Sequence, residues 1–110
     1  MEKLLHLVGK KSICSSKIIL LKAEVNYSHL FLTDGRKITI SKTLKELEKK
    51  YSDFGFFRPH KSFLINMEHV VSYSHHDNRR IILTNNFTAE ISRRKLPEFL
   101  EEKNIKKALR

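Results

Sequence analysis

"FFRPHKSFLIN", residues 56–66, sets the terms for reading the rest of this chain. Two apolar runs, Phe56–Phe57 and Phe63–Ile65, enclose Arg58, His60 and Lys61, with Pro59 between them. A core has no use for so many groups able to carry positive charge. A flexible loop does not explain the apolar flanks. The pattern fits a short basic ridge that its flanks anchor and that is presented to a polyanion. His60 is read as packing against Phe57 or Phe63 and fixing the ridge, which Pro59 already stiffens. Donation from His60 to a phosphate is the alternative.

Composition agrees with a polyanion-binding domain. The 110 residues suit one domain over 1–110, and 40% hydrophobic content supplies a core. Lys and Arg number 22 against 12 Asp and Glu, a formal charge of +10. Nucleic acid is the commonest partner for such an excess, acidic membrane surfaces come second, and solvated surface charge is the bland reading. The single cysteine, Cys14, allows no internal disulfide and fits a reducing, cytoplasmic compartment. "MEKLLHLVGKK" is too short and too broken by His6 for a signal peptide, and Met1 before Glu2 is compatible with a natural start. No run approaches the roughly 20 apolar residues of a membrane span.

The periodicity is mostly that of strands. "KIILLKAE" reads as a buried strand. "NYSHLFLT" and "RKITIS" flank Asp34-Gly35, a tight-turn pair. In "TLKELEKKY" the period changes: Leu44, Leu47 and Tyr51 share a helical face, and Thr43 with Glu46 fits a capping box. Gly55 helps to end that segment. "HVVSYSH" reads as a strand and "HDNR" as a turn; "RRIILT" and "FTAEIS" form a hairpin about Asn85-Asn86. "LPEFLEEKNI" reads as a helix starting near Lys95 or Leu96, since Pro97 is tolerated only in a first turn.

Nothing in this pattern supports an enzyme, a metal or a cofactor. Cys14 lies beside Ser15 and Ser16 without a local His, so an inert, part-buried thiol is preferred to a nucleophile. His75, His76 and Asp77 are neighbours that chelate poorly along a strand and read as a polar turn. There is no glycine-rich phosphate loop. Positive charge instead gathers a second time in "SRRK", Ser92 to Lys95, where the last strand meets the last helix. Its cations and helix-start N–H groups suit an anion, and Ser62 and Ser92 suit phosphate oxygens. Salt-bridged surface arginines at 58 and 93 are the plain alternative.

"FFRPHKSFLIN", followed by "HVVSYS", a hairpin and "AEISRRKLPEFL", resembles the LytTR DNA-binding domain, the output module of LytR/AlgR/AgrA-type bacterial response regulators in two-component systems. "IILLKAEVNYSHLFLTDGRKI" and "TLKELEKKY" match the same order of elements, so the resemblance runs from about residue 7 to about residue 103. It implies a mainly β fold of about ten short strands in stacked antiparallel sheets, with a short internal helix and a C-terminal helix. It implies cytoplasmic, sequence-specific regulation of transcription, with loops entering the major grooves of double-stranded DNA and two copies on direct repeats as a homodimer on DNA. No membrane or small-molecule partner is implied.

The implied contacts fall on three loops. Tyr27 lies on the first, with Ser28 and His29 beside it; a one-residue shift favours His29. Lys61 stands at a base-contacting position where the family usually has Arg or Asn, flanked by Arg58, His60 and Ser62. Arg94 matches the third base-contacting position, with Ser92, Arg93 and Lys95 alongside. Phe56, Phe63, Leu64 and Ile65 are expected to bury while Arg58 and Lys61 face DNA. Lysine cannot make arginine's planar fork, which leaves the preferred base at Lys61 open. Glu90 either disfavours a close phosphate or holds an arginine. A receiver domain has no room in this chain, so the domain is either stand-alone or cut from a longer regulator. Competing readings are a single-strand or RNA-binding module stacking bases on Tyr27, Phe31 or Tyr73, and a basic protein-interaction domain.

Overall fold

The computed structural model describes residues 4–7, 11–74 and 79–108. Its centre is a five-stranded antiparallel sheet in the order β5-β4-β3-β7-β6. The strands are β3 (Ile18–Glu24), β4 (Tyr27–Leu32), β5 (Lys37–Ile40), β6 (Phe56–His60) and β7 (Phe63–Asn66). β3 lies in the middle, and its apolar run is continuous because both faces are covered. Side chains alternate across a strand, so neighbours enter different cores. Leu21, Leu64 and Phe56 enter one core; Leu20, Ile65 and Phe57 enter the other. The paired apolar residues of 56–66 thus serve two cores at once. Truncating a fully buried leucine such as Leu64 to alanine costs about 2–5 kcal/mol.

The first core is closed by α1 (Leu44–Tyr51) and by a two-stranded pair, β1 (Leu4–His6) with β2 (Ser12–Cys14). Leu44, Leu47 and Tyr51 face inward as the helical period requires, and Thr43 Oγ1 accepts the Glu46 N–H at 3.3 Å. The β1–β2 pair was not legible in the N-terminal stretch, yet Leu5 and Leu7 are buried in this core. The Tyr51 hydroxyl is buried there without a hydrogen-bond partner among the described residues, and burial pushes its pKa up to about 12.

The second core is closed by a three-stranded sheet in the order β10-β9-β8 and by α2 (Leu96–Ala108), which contributes Phe99. These strands are β8 (Val70–Ser74), β9 (Arg80–Leu83) and β10 (Thr88–Glu90). Three sheets therefore stack as expected. Phe63 departs from the expectation of full burial: it lies next to a turn at the sheet end and only packs against the rim of the second core. Gly35 (φ 92°), Asn85 (φ 60°) and Asn86 (φ 63°) supply the left-handed turn positions at the two predicted hairpins. Asn85 Nδ2 donates to the Thr33 carbonyl at 3.1 Å, tying those hairpins together. The polar turn expected at residues 75–78 lies outside the described residues.

Candidate nucleic-acid interface

Residues 56–66 form the hairpin β6–β7, with Lys61 and Ser62 at its tip between the paired His60 and Phe63. The register shifts by one residue between Phe57 and His60, where Pro59 lacks the N–H a ladder would need. His60 Nδ1 accepts the Ser62 backbone N–H at 3.1 Å, and its ring lies 5.9 Å from that of Phe63. In its neutral form His60 therefore carries its proton on Nε2, which faces the Glu90 carboxylate at 3.8 Å. Glu90 thus faces His60, and Arg80 is its cross-strand neighbour on β9. His60 shapes the turn.

Arg58 is also turned inward. Its Nη2 donates to the Lys61 carbonyl at 2.8 Å and its Nη1 to Glu48 Oε1 on α1 at 3.1 Å. Its side chain is 19% exposed, and its Nε is buried without a partner among the described residues. The expectation that Arg58 faces the ligand is replaced by a different arrangement: Arg58 braces the turn and Lys61 projects from it. The positioning acid, Glu48, was missed because a helical pattern does not show what an exposed-face residue meets ten positions further on.

The second basic cluster arrives through one backbone bond. The Ser92 N–H donates to the Pro59 carbonyl at 2.8 Å, laying the β10–α2 junction along the outer edge of β6. The junction is a single 3₁₀ turn, Arg93–Lys95, before α2 begins at Leu96. An open groove of about 480 Å³ results, lined by Glu48, Arg58, His60, Lys61, Ser92, Arg94 and Lys95. Lys95 lies 5.9 Å from the Phe57 ring and 3.6 Å from Glu98, so its charge is partly spent. Lys61, Arg93 and Arg94 are exposed and have no acidic partner among the described residues. Ser92 lines the groove and Ser62 follows Lys61 in the turn; both are half-buried.

The first loop in chain order, between β3 and β4, turns through Val25 and Asn26, with Glu24 paired to Tyr27. Tyr27 is 50% exposed. Ser28 is fully buried, and its hydroxyl donates to the Lys42 carbonyl at 2.6 Å, so it braces the loop and offers nothing outward. His29 bridges Thr39 Oγ1 at 2.7 Å and the Glu24 carboxylate. That hydrogen bond, with the imidazole charge, holds the Glu24 carboxyl below its ordinary range. The Ala23 N–H donates to the Ser62 carbonyl at 2.9 Å, which sets this loop beside the Lys61 turn. All three loops therefore meet at one end of the central sheet. A second groove, lined by Lys22, Phe63, Arg80, Asn86, Thr88 and Glu90 among others, lies on the flank; no motif pointed to it. Among the described residues no cluster of three metal-ligating side chains occurs, and no helix is long and apolar enough to cross a membrane.

A stacked β domain that exposes Lys61, Arg93 and Arg94 on neighbouring edge loops has the architecture of a nucleic-acid-binding module. The family model described as LytTr DNA-binding domain matches residues 10–104, and the chain belongs to this family. Family membership assigns it DNA binding and a part in transcription regulation, in a family of DNA-binding domains and not of enzymes. Among solved structures, the chain is similar to the LytTr DNA-binding domain of a response regulator from Bacillus cereus, with a TM-score of 0.69 and 20% identity over 92% of this chain and 94% of that one. No significant match is found among curated protein sequences.

Proposed function

We propose that this protein regulates transcription by reading a specific sequence in double-stranded DNA, with its edge loops entering successive major grooves. The observation that carries this reading is the sorting of charge at one sheet end: Arg58, His60 and Lys95 are spent on the fold, while Lys61, Arg93 and Arg94 are left over. Arg94 pairs with a guanine edge through its planar fork, and Lys61 contacts a base edge in the neighbouring groove as a point charge. Arg93 binds phosphate, helped by the Ser62 and Ser92 hydroxyls. Tyr27 supplies the first loop's contact. The functional unit is one domain of about residues 7–103, acting in the cytoplasm as two copies on a direct repeat. The single-strand reading is weakened by the aromatics it would use. Phe31 packs on Phe87 at 5.2 Å and Tyr73 on Phe99 at 5.3 Å, which leaves Tyr27 as the presented ring.

The test is selection of bound duplexes from a randomised pool at near-physiological salt, so that phosphate binding alone does not dominate. A direct repeat spaced near one helical turn is the expected product. Binding without a recovered motif would reduce the loops to phosphate grips, and a preference for single strands would move the rival module to the front.

A further inference from the structure

Resting on that DNA-reading function, we infer that Val25, at the tip of the β3–β4 turn, is a specificity-determining residue that recognises the C5 methyl group of a thymine. Val25 adopts φ 53°, a left-handed conformation that a β-branched residue takes only under strain. Glycine or asparagine would occupy it with less strain. The residue is also 88% exposed, so its two methyl groups gain nothing from the core. The fold bears the strain and receives no packing in return.

The turn beneath is held firmly. Glu24 pairs with Tyr27, His29 ties Glu24 to Thr39, and Ser28 is anchored on the Lys42 carbonyl. The tip is therefore a fixed apolar projection. The Ala23–Ser62 backbone bond sets it at the sheet end that carries Lys61. A phosphate has no use for an uncharged, branched hydrocarbon. The thymine methyl is the apolar group on the major-groove edges, and a small aliphatic side chain is its natural contact.

The experiment compares the full chain with its Val25→Gly and Val25→Asn variants on the selected duplex, each thymine being replaced in turn by deoxyuridine, which lacks only the methyl. The parent should lose about fourfold in affinity at one thymine, the worth of one methyl-sized group removed from water. In both variants thymine and uracil should bind alike at that position, the remaining positions should be unchanged, and the unfolding temperature should rise. An unaltered thymine pattern in the variants overturns the inference while leaving sequence-specific binding intact. A fall in unfolding temperature in both variants also overturns it, because Val25 would then serve the fold. A parent that binds all sequences alike would remove the proposed function, and Val25's role with it.

Discussion

Two hairpin turns close opposite ends of the central sheet, and both use an arginine. At the Asp34-Gly35 turn the arginine and its acid belong to the turn itself. Asp34 Oδ1 accepts the Arg36 backbone N–H at 3.0 Å and Oδ2 accepts Nε at 2.8 Å. Charge there cancels within three residues, and the pair is largely exposed. At the Lys61–Ser62 turn the brace comes from outside the tip: Arg58 holds the turn's carbonyl and takes its own counter-charge from Glu48 on α1. The tip residue is then free of structural duty, and among the described residues no acid lies within ion-pair distance of its charge. The contrast suggests that a binding surface depends on which cations the fold leaves unspent more than on how many it has.

The largest expected effects fall on the unspent cations. Arg94→Ala and Lys61→Ala should each cost about 1–3 kcal/mol of discrimination and relax preference at one base position, measured by titration against matched and single-substituted duplexes. If Lys61→Ala binds specific and random duplexes as the parent does, the contrast between the turns has no functional content. Next comes the brace. Arg58→Ala should lower stability by about 1–3 kcal/mol, by leaving the Lys61 carbonyl and Glu48 without their partner, and should weaken DNA binding although Lys61 is intact. Urea unfolding and the same titration report both; unchanged affinity would show that the turn keeps its shape unaided. Arg93→Ala should weaken binding to all sequences and reduce the salt slope by roughly one unit.

The smallest effect belongs to the far turn. The Arg36 backbone N–H, aided by the Arg36 side chain, holds the Asp34 carboxyl below its ordinary range. A carboxyl whose pKa is lowered by folding adds stability above its unfolded pKa, and that stability is lost as pH falls through the folded value. Asp34→Asn should therefore flatten the acid limb of the stability curve and leave DNA affinity alone. Glu24→Gln should flatten the same limb, since His29 lowers that carboxyl, but it should also disturb binding because Glu24 supports the β3–β4 loop.

Much of the fold was legible because its signals are local. The Leu44–Leu47–Tyr51 face, the Thr43 cap, and the Asp34-Gly35 and Asn85-Asn86 turns each announce themselves within a few residues. The resemblance carried by residues 56–66 supplied the stacking and the three loops. Contacts between distant segments were not legible. Nothing near Ser92 predicts its bond to Pro59, and nothing in "MEKLLHLVGKK" predicts a strand pair that buries Leu5. The site residues divided in the same way. Residue type identified Lys61 and Arg94 as charged and Ser28 as polar, but only packing shows that Ser28 is sealed and Arg58 is turned inward.

Arg58 grips position 61 by its carbonyl oxygen, an atom every amino acid possesses. The turn is therefore indifferent to which side chain stands there. Position 61 should therefore accept asparagine, glutamine or arginine without loss of the hairpin, and under the proposed reading such an exchange should redirect the protein to a new operator. Arg58 and Glu48 form the socket, and residue 61 is the interchangeable part.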